Sequence, residues 1–124
     1  YKRVSGQVFE SRFTNQTQDA IIAKTQAWIS EHISEENLIS RAALEFGLSE
    51  SSLARRFKSA HRESVINFIQ HVRIQRAKEA LEMTKLPVER ISDLVGYRDS
   101  SYFRRLFKIK TGMTPKQYRK QCSA

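Results

Sequence analysis

Cysteine is almost missing from this chain: one residue, Cys122, stands near the C-terminal end. That excludes an internal disulfide framework and a cysteine-built metal site. No stretch approaches the roughly 18 apolar residues that a membrane-spanning helix needs, and the start has no signal-peptide pattern. Proline occurs twice and glycine four times, so breaks are few and each one carries information. His32, His61 and His71 lie far apart, no phosphate-loop or metal-ligand spacing is present, and no nucleophile has a base nearby. The expectation is therefore a non-enzyme, with no catalytic residue, no cofactor and no metal.

Charge is present in excess. The formal net charge is +9 in 124 residues, a balance that favours a polyanionic partner and says little about fold. Residues 98–124 hold eight lysines and arginines against one acid, Asp99. A second basic run, Arg55, Arg56 and Lys58 with Arg62, sits near the middle. The hydrophobic share of 40% and charged share of 28% are those of an ordinary globular chain, so wholesale disorder is excluded. The length suits one domain, or two very small units sharing an element.

Because the chain opens on Tyr1, the expectation is a piece of something longer, with residues 1–17 as a linker or the tail of an upstream domain. From Asp19 to about Ile33, the residues Ile21, Ile22, Trp28, Ile29 and Ile33 mark one face of a first helix. A short helix around Ser40 to Phe46 follows, with Ala42, Ala43 and Phe46 inward and Gly47 as its stop. Ser49 caps a third helix, Glu50 to about Ala60. Ser64 caps a long one, which runs to about Thr84 and which Pro87 keeps from continuing. Val88 to Val95 is a short helix ending at Gly96. Asp99 caps the next, where Phe103, Leu106 and Phe107 share a face opposite Ser101, Arg104, Arg105 and Lys108. Thr114 and Pro115, a cap and a proline at the first helical position, begin the last. Seven helices and no strand make the chain all-α.

Laid on itself with an offset of 50, the sequence repeats. Ser49 meets Asp99, Leu53 meets Phe103, Arg55 meets Arg105, Phe57 meets Phe107, Lys58 meets Lys108, Ser64 meets Thr114 and Phe68 meets Tyr118. Each unit is a helix, a glycine turn, a second helix with basic residues outward, and a capped third helix that returns an aromatic residue to the core. Duplication for packing alone does not explain why arginine and lysine recur at the same outward positions. The expected division is 18–63 as a first helix-turn-helix subdomain, 64–84 as a connecting helix and 85–124 as a second subdomain. A connecting helix of about 21 residues is roughly 30 Å long, close to the roughly 34 Å between successive major grooves on one face of DNA.

The spacing Ile91-x-x-x-Val95-Gly96-Tyr97, followed by Ser101-x-Phe103-x-Arg105-x-Phe107-Lys108-x-x-x-Gly112-x-Thr114-Pro115-x-x-Tyr118-Arg119, resembles the signature of the AraC/XylS family of bacterial transcription regulators. The similarity covers roughly residues 19–121. The wording Leu86-Pro87-Val88-x-x-Ile91 further resembles the branch whose upstream domain is like a class I glutamine amidotransferase. Two departures stand out: Arg62 occupies the place of Gly112 in the first unit, and Ser92 stands where the family often has alanine.

The resemblance implies two helix-turn-helix subdomains joined by a long helix, and sequence-specific binding of double-stranded DNA by a regulator, an activator by expectation. Its recognition positions fall on Glu50, Ser51, Ser52, Ala54 and Arg55, and on Ser100, Ser101, Arg104 and Arg105. Base contacts are assigned to Ser51, Ser52, Arg55, Ser100, Ser101, Arg104 and Arg105, since arginine can grip guanine O6 and N7 and serine suits several bases. Arg56, Lys58, Arg98, Lys108, Lys110 and Lys116 are assigned to phosphates, as are the backbone N–H groups at the helix starts after Ser40, Ser64 and Thr114. Arg73 is expected to pair with an acid such as Glu45 or Asp93, while Leu53, Phe57, Phe68, Ile91, Phe103, Phe107 and Tyr118 are expected in the core. The implied setting is the bacterial cytoplasm, at the nucleoid, with RNA polymerase as a further partner and no membrane. A small-molecule effector would act only through an upstream domain, and the chain itself would be monomeric. The alternative is a non-specific basic module for an acidic protein or membrane surface, which would show no preference among DNA sequences.

Overall fold

The computed structural model describes residues 20–123; the expected linker 1–17 and the expected start of the first helix at Asp19 lie outside them. Among the described residues there are seven helices and no strand, the all-α class that the spacing predicts. They are α1 (20–31), α2 (Leu38–Glu45), α3 (Glu50–His61), α4 (Val65–Met83), α5 (Val88–Leu94), α6 (Ser100–Thr111) and α7 (Pro115–Ser123). No described helix is long and apolar enough to cross a membrane.

The caps explain most of the boundaries. Ser49 accepts from Ser52 N–H, Ser64 from Asn67 N–H, and Asp99 from both Ser101 and Tyr102 N–H. Each satisfies a helix-end donor that would otherwise lack a partner. Thr114 and Gln117 form a reciprocal capping box at the start of α7 (2.9 and 3.1 Å). The start of α2 differs from expectation. It begins at Leu38, after Asn37 in the left-handed region (φ 54°) and without a side-chain cap. Ser40 lies inside the first turn and donates instead to the Glu50 carboxylate (2.6 Å). The N–H of Arg41, expected to be free for a phosphate, is bonded to Asn37 O (3.0 Å). Serine reads as a cap in sequence, yet here its hydroxyl has a better acceptor ten residues on.

Two separate apolar clusters share one helix. The first gathers Ile22, Ile29 and Ile33 of the opening segment with Leu38, Ala42, Ala43, Leu53, Phe57, Val65 and Ile69. The second gathers Ile74, Ala77 and Leu81 with Ile91, Val95, Phe103, Leu106 and Phe107. At about 100° per residue, the α4 side chains of the first cluster and those of the second point about 140° apart. The first half of α4 is thus buried on one side and the second half on nearly the other.

The repeat is visible in the packing. Phe57 tilts against Phe68 at 5.3 Å between ring centroids, and their counterparts Phe107 and Tyr118 meet edge to face at 5.7 Å. Five of the seven expected core residues are buried. Phe68 and Tyr118 are half-buried against their clusters, and Phe46, expected inward, is half-buried at the C-cap of α2. The Tyr118 hydroxyl explains its partial exposure, since it donates outward to Glu82.

Both departures from the family pattern have a structural answer. Ser92 is fully buried and its hydroxyl donates to Tyr97 O (2.6 Å), so the extra polar atom is satisfied. Arg62 caps α3 in the left-handed region (φ 57°), as Gly112 caps α6 (φ 87°), so the turn keeps its shape and a non-glycine residue carries the strain. A Cβ at Gly112 would meet nothing within 4 Å, which leaves backbone strain as the cost of substitution there. In urea unfolding, Gly112→Ala is expected to lower stability by about 1 kcal/mol, and Arg62→Gly to raise it by about 0.5 kcal/mol. A loss of stability in Arg62→Gly would show that the Arg62 side chain contributes more than its backbone strain removes.

Candidate nucleic-acid interface

α3 and α6 occupy the same place in the two units: each follows a glycine turn, starts at a side-chain cap and buries one apolar stripe. Gly47 (φ 67°) and Gly96 (φ 108°) make those turns, and each is followed by a closing bond, Leu48 N–H to Ala43 O (2.8 Å) and Tyr97 N–H to Ser92 O (2.9 Å). With Leu53 and Phe57 inward, Ser51, Ala54, Arg55 and Lys58 of α3 are exposed, while Ser52 and Arg56 are half-buried. With Phe103, Leu106 and Phe107 inward, Ser101, Arg105, Lys108 and Lys110 of α6 are exposed, while Ser100 and Arg104 are half-buried. The basic residues therefore stand on the solvent side of two equivalently built helices.

Some of the nominated side chains already have partners. Arg104 is paired with Glu89 of α5, so one expected base contact is held by a carboxylate of its own unit. Arg98 is paired with Glu36 of the turn before α2. Lys110 donates to the Asn67 side chain near the start of α4 (2.7 Å). Lys116 is exposed in the first turn of α7. The structure brings Ser100, Ser101, Arg104 and Arg105 onto the first turns of α6, and Ser51, Ser52 and Arg55 onto those of α3.

Glu89 and Gln70 are residues that sequence reasoning did not nominate. Glu89 stands fifteen residues before Arg104 on another helix, where no local spacing could relate them. Gln70 donates to the Tyr102 hydroxyl (3.4 Å), which ties the start of α6 to the first half of α4. With Lys110 on Asn67, this shows side chains of α6 reaching the first half of α4, while Phe103, Leu106 and Phe107 pack with Ile74, Ala77 and Leu81 of its second half. The length of α4 therefore does not by itself set the separation of the two basic helices. Arg73, expected to pair with an acid, donates instead to two backbone carbonyls, Ile33 O (2.9 Å) and Glu35 O (3.1 Å).

Among the described residues, no three His, Cys, Asp or Glu side chains gather in a way that could hold a metal ion. What the surface offers is hydroxyl, guanidinium and ammonium groups on two helices, which are donors for base edges and phosphates.

Comparison with known proteins agrees with this geometry. A family model described as a helix-turn-helix domain matches residues 42–121. The chain is 34% identical over 96 residues to the arabinose operon regulatory protein of Escherichia coli K12, covering 77% of the chain and 33% of that relative. It spans about a third of the length of the arabinose operon regulatory proteins of Escherichia coli and Salmonella typhimurium that it matches. In structure it resembles the C-terminal domain of AraT, a response regulator from Geobacillus stearothermophilus, with a TM-score of 0.78, 31% identity and coverage of 82% of this chain and 84% of that one. It also resembles the DNA-binding domain of AdpA, a global transcriptional factor solved in complex with a target DNA, with a TM-score of 0.76, 25% identity and coverage of 81% and 90%.

The Glu89 carboxyl is held below its ordinary range, first by the hydrogen bond from Arg104, then by a backbone hydrogen bond and the Arg104 charge. A lowered folded-state pKa means that the pair is fully formed above the ordinary glutamate value and is lost as pH falls through the lowered one. A carboxyl NMR titration is expected to find Glu89 below the ordinary glutamate value, and Arg104→Ala to return it upward. An ordinary titration of Glu89 in the unsubstituted chain would contradict the pairing.

Proposed function

The chain belongs to the AraC/XylS family of helix-turn-helix transcription regulators, and from that premise we propose that it is the DNA-reading part of such a regulator, with α3 and α6 entering successive major grooves of one duplex. The observation that carries this reading is the duplication itself: two helices, capped alike and buried alike, present arginine, lysine and serine at matching outward positions. Specific binding of double-stranded DNA follows from base-edge donors on those helices, and affinity from the surrounding positive charge.

In this reading Ser51, Ser52, Arg55, Ser100, Ser101, Arg104 and Arg105 contact bases, and Arg56, Lys58, Arg98, Lys108, Lys110 and Lys116 contact phosphates. Arg104 and Arg98 exchange a carboxylate partner for DNA on binding. Residues 18–63 and 85–124 act as the two reading units and 64–84 as the helix between them. The regulator works in the bacterial cytoplasm at the nucleoid, has no catalytic activity and meets RNA polymerase as an activator. Effector sensing belongs to an upstream domain, of the amidotransferase-like kind that the residues around Leu86 resemble. The chain alone binds as a monomer.

Selection of bound sequences from a random duplex pool tests this directly. The expected result is two enriched motifs whose centres lie about 10 base pairs apart; equal affinity for all duplexes at physiological salt would overturn it in favour of a non-specific basic module. On a selected site, Arg104→Ala is expected to cost about 1 to 3 kcal/mol and to relax the preference at one base position. A uniform loss across sequences would make Arg104 a phosphate contact.

A further inference from the structure

Arg73 stands where the buried side of α4 changes over. Its neighbour Val72 packs on the first apolar cluster and Ile74 belongs to the second. At about 100° per residue, Arg73 points between the two buried sides, into the crease where the units meet. There its guanidinium grips both. Nε donates to Ile33 O (2.9 Å) and Nη2 to Glu35 O (3.1 Å), two carbonyls of the turn between α1 and α2. The same guanidinium lies over the Tyr97 ring, 4.9 Å from its centroid, in the turn that leads into α6.

The second unit is shaped to receive it. Gly96 has φ 108°, and a Cβ there would sit 2.8 Å from Arg73 Cζ, from Arg73 Nε and from Ile33 O. Any side chain at Gly96 would push the two turns apart. The crease is otherwise open: a cleft of about 470 Å³ is lined by Glu35, Arg73, Gly96, Tyr97 and Tyr102 among others. Apolar packing therefore does not weld the units at this place. The other polar ties, Arg98 to Glu36, Gln70 to the Tyr102 hydroxyl, Lys110 to the Asn67 side chain and Arg76 to Ser30 O, are all exposed and correspondingly weak.

We propose that Arg73 is a positioning residue that fixes the distance and angle between the two reading helices, and so sets the half-site spacing the chain accepts. Each unit has its own core and each reading helix its own cap, so base preference within a half-site does not depend on Arg73. The relative placement of the half-sites does. Lysine cannot replace it, because a single ammonium cannot donate in a fixed fork to two carbonyls while stacking flat on a ring. One base pair more or less moves a half-site by about 3.4 Å and turns it by about 35°. A clamped pair of helices cannot follow such a change.

The spacing effect rests on the DNA-reading proposal, so the test has two arms. In the first, the chain binds duplexes carrying the selected half-sites at the selected spacing, or with one or two base pairs added or removed. The unsubstituted chain is expected to lose about tenfold or more in affinity per altered base pair, whereas Arg73→Met binds all spacings within about threefold, with its half-site preferences intact. Arg73→Lys is measured beside it and carries the comparison if the methionine variant does not fold. A wild-type spacing profile in a folded Arg73 variant overturns the inference. In the second arm, without DNA, spin labels at Ser59→Cys on α3 and Ile109→Cys on α6, in a Cys122→Ser chain, report the distance between the reading helices. The expected result is a narrow distribution that broadens in the Arg73 variant; an unchanged width overturns the clamp. If the unsubstituted chain shows no sequence preference at all, the DNA reading fails while the label arm still decides the clamp.

Discussion

One helix must be buried on two sides. α4 gives Val65 and Ile69 to one cluster and Ile74, Ala77 and Leu81 to another, about 140° around its axis. A helix buried along a single stripe would place both units on one side, where they would compete for the same surface. Changing sides midway lets each unit close its own core against half of a shared wall. Small apolar units of this size are marginal alone, so the wall supplies each with surface that its own three helices lack. The same change of side leaves a crease, and the polar ties that cross it, Arg73 above all, take over where apolar packing stops.

The electrostatics of the surface follow from this frame. Caps and apolar stripes decide which residues of α3 and α6 face outward, and the outward positions carry most of the positive charge of those helices. Carboxylates nearby temper that charge: Glu89 holds Arg104, Glu36 holds Arg98, and Glu50 is engaged by Ser40. Exposed pairs of this kind contribute little to stability. Their consequence in the proposed reading is that Arg104 and Arg98 must each release a carboxylate before contacting DNA. The two readers are also unlike. α6 offers Arg104 and Arg105 in its first turns, where α3 has Ala54 and Arg55, so in the proposed reading the second reader has one more guanidinium at those positions.

Much of this was legible in the residues alone. The all-α class followed from caps and from apolar spacing, and the expected boundaries of α3, α4, α5 and α6 stand within a residue or two of those observed. The duplication was readable because the same side chains recur at a fixed offset, and it reappears as the Phe57–Phe68 and Phe107–Tyr118 pairs. What escaped were contacts between distant segments. Ser40 looked like a cap because its true acceptor is on another helix. Arg73 reads as half of an ion pair because charge suggests charge, whereas two carbonyls of the turn between α1 and α2 serve its guanidinium equally well. Glu89 carries no signal in sequence, because a lone acid at a helix start has an ordinary local explanation in the helix dipole. Local rules read elements and faces; they do not read which faces meet.

In the proposed reading, two equivalent helices on one frame address two successive grooves of the same duplex. Hydroxyl-radical footprinting of the chain on a selected site tests it most directly. Two protected patches are expected on one face of the DNA, about 10 base pairs apart, with unprotected backbone between them. A single short patch, or unbroken protection along the fragment, would contradict it.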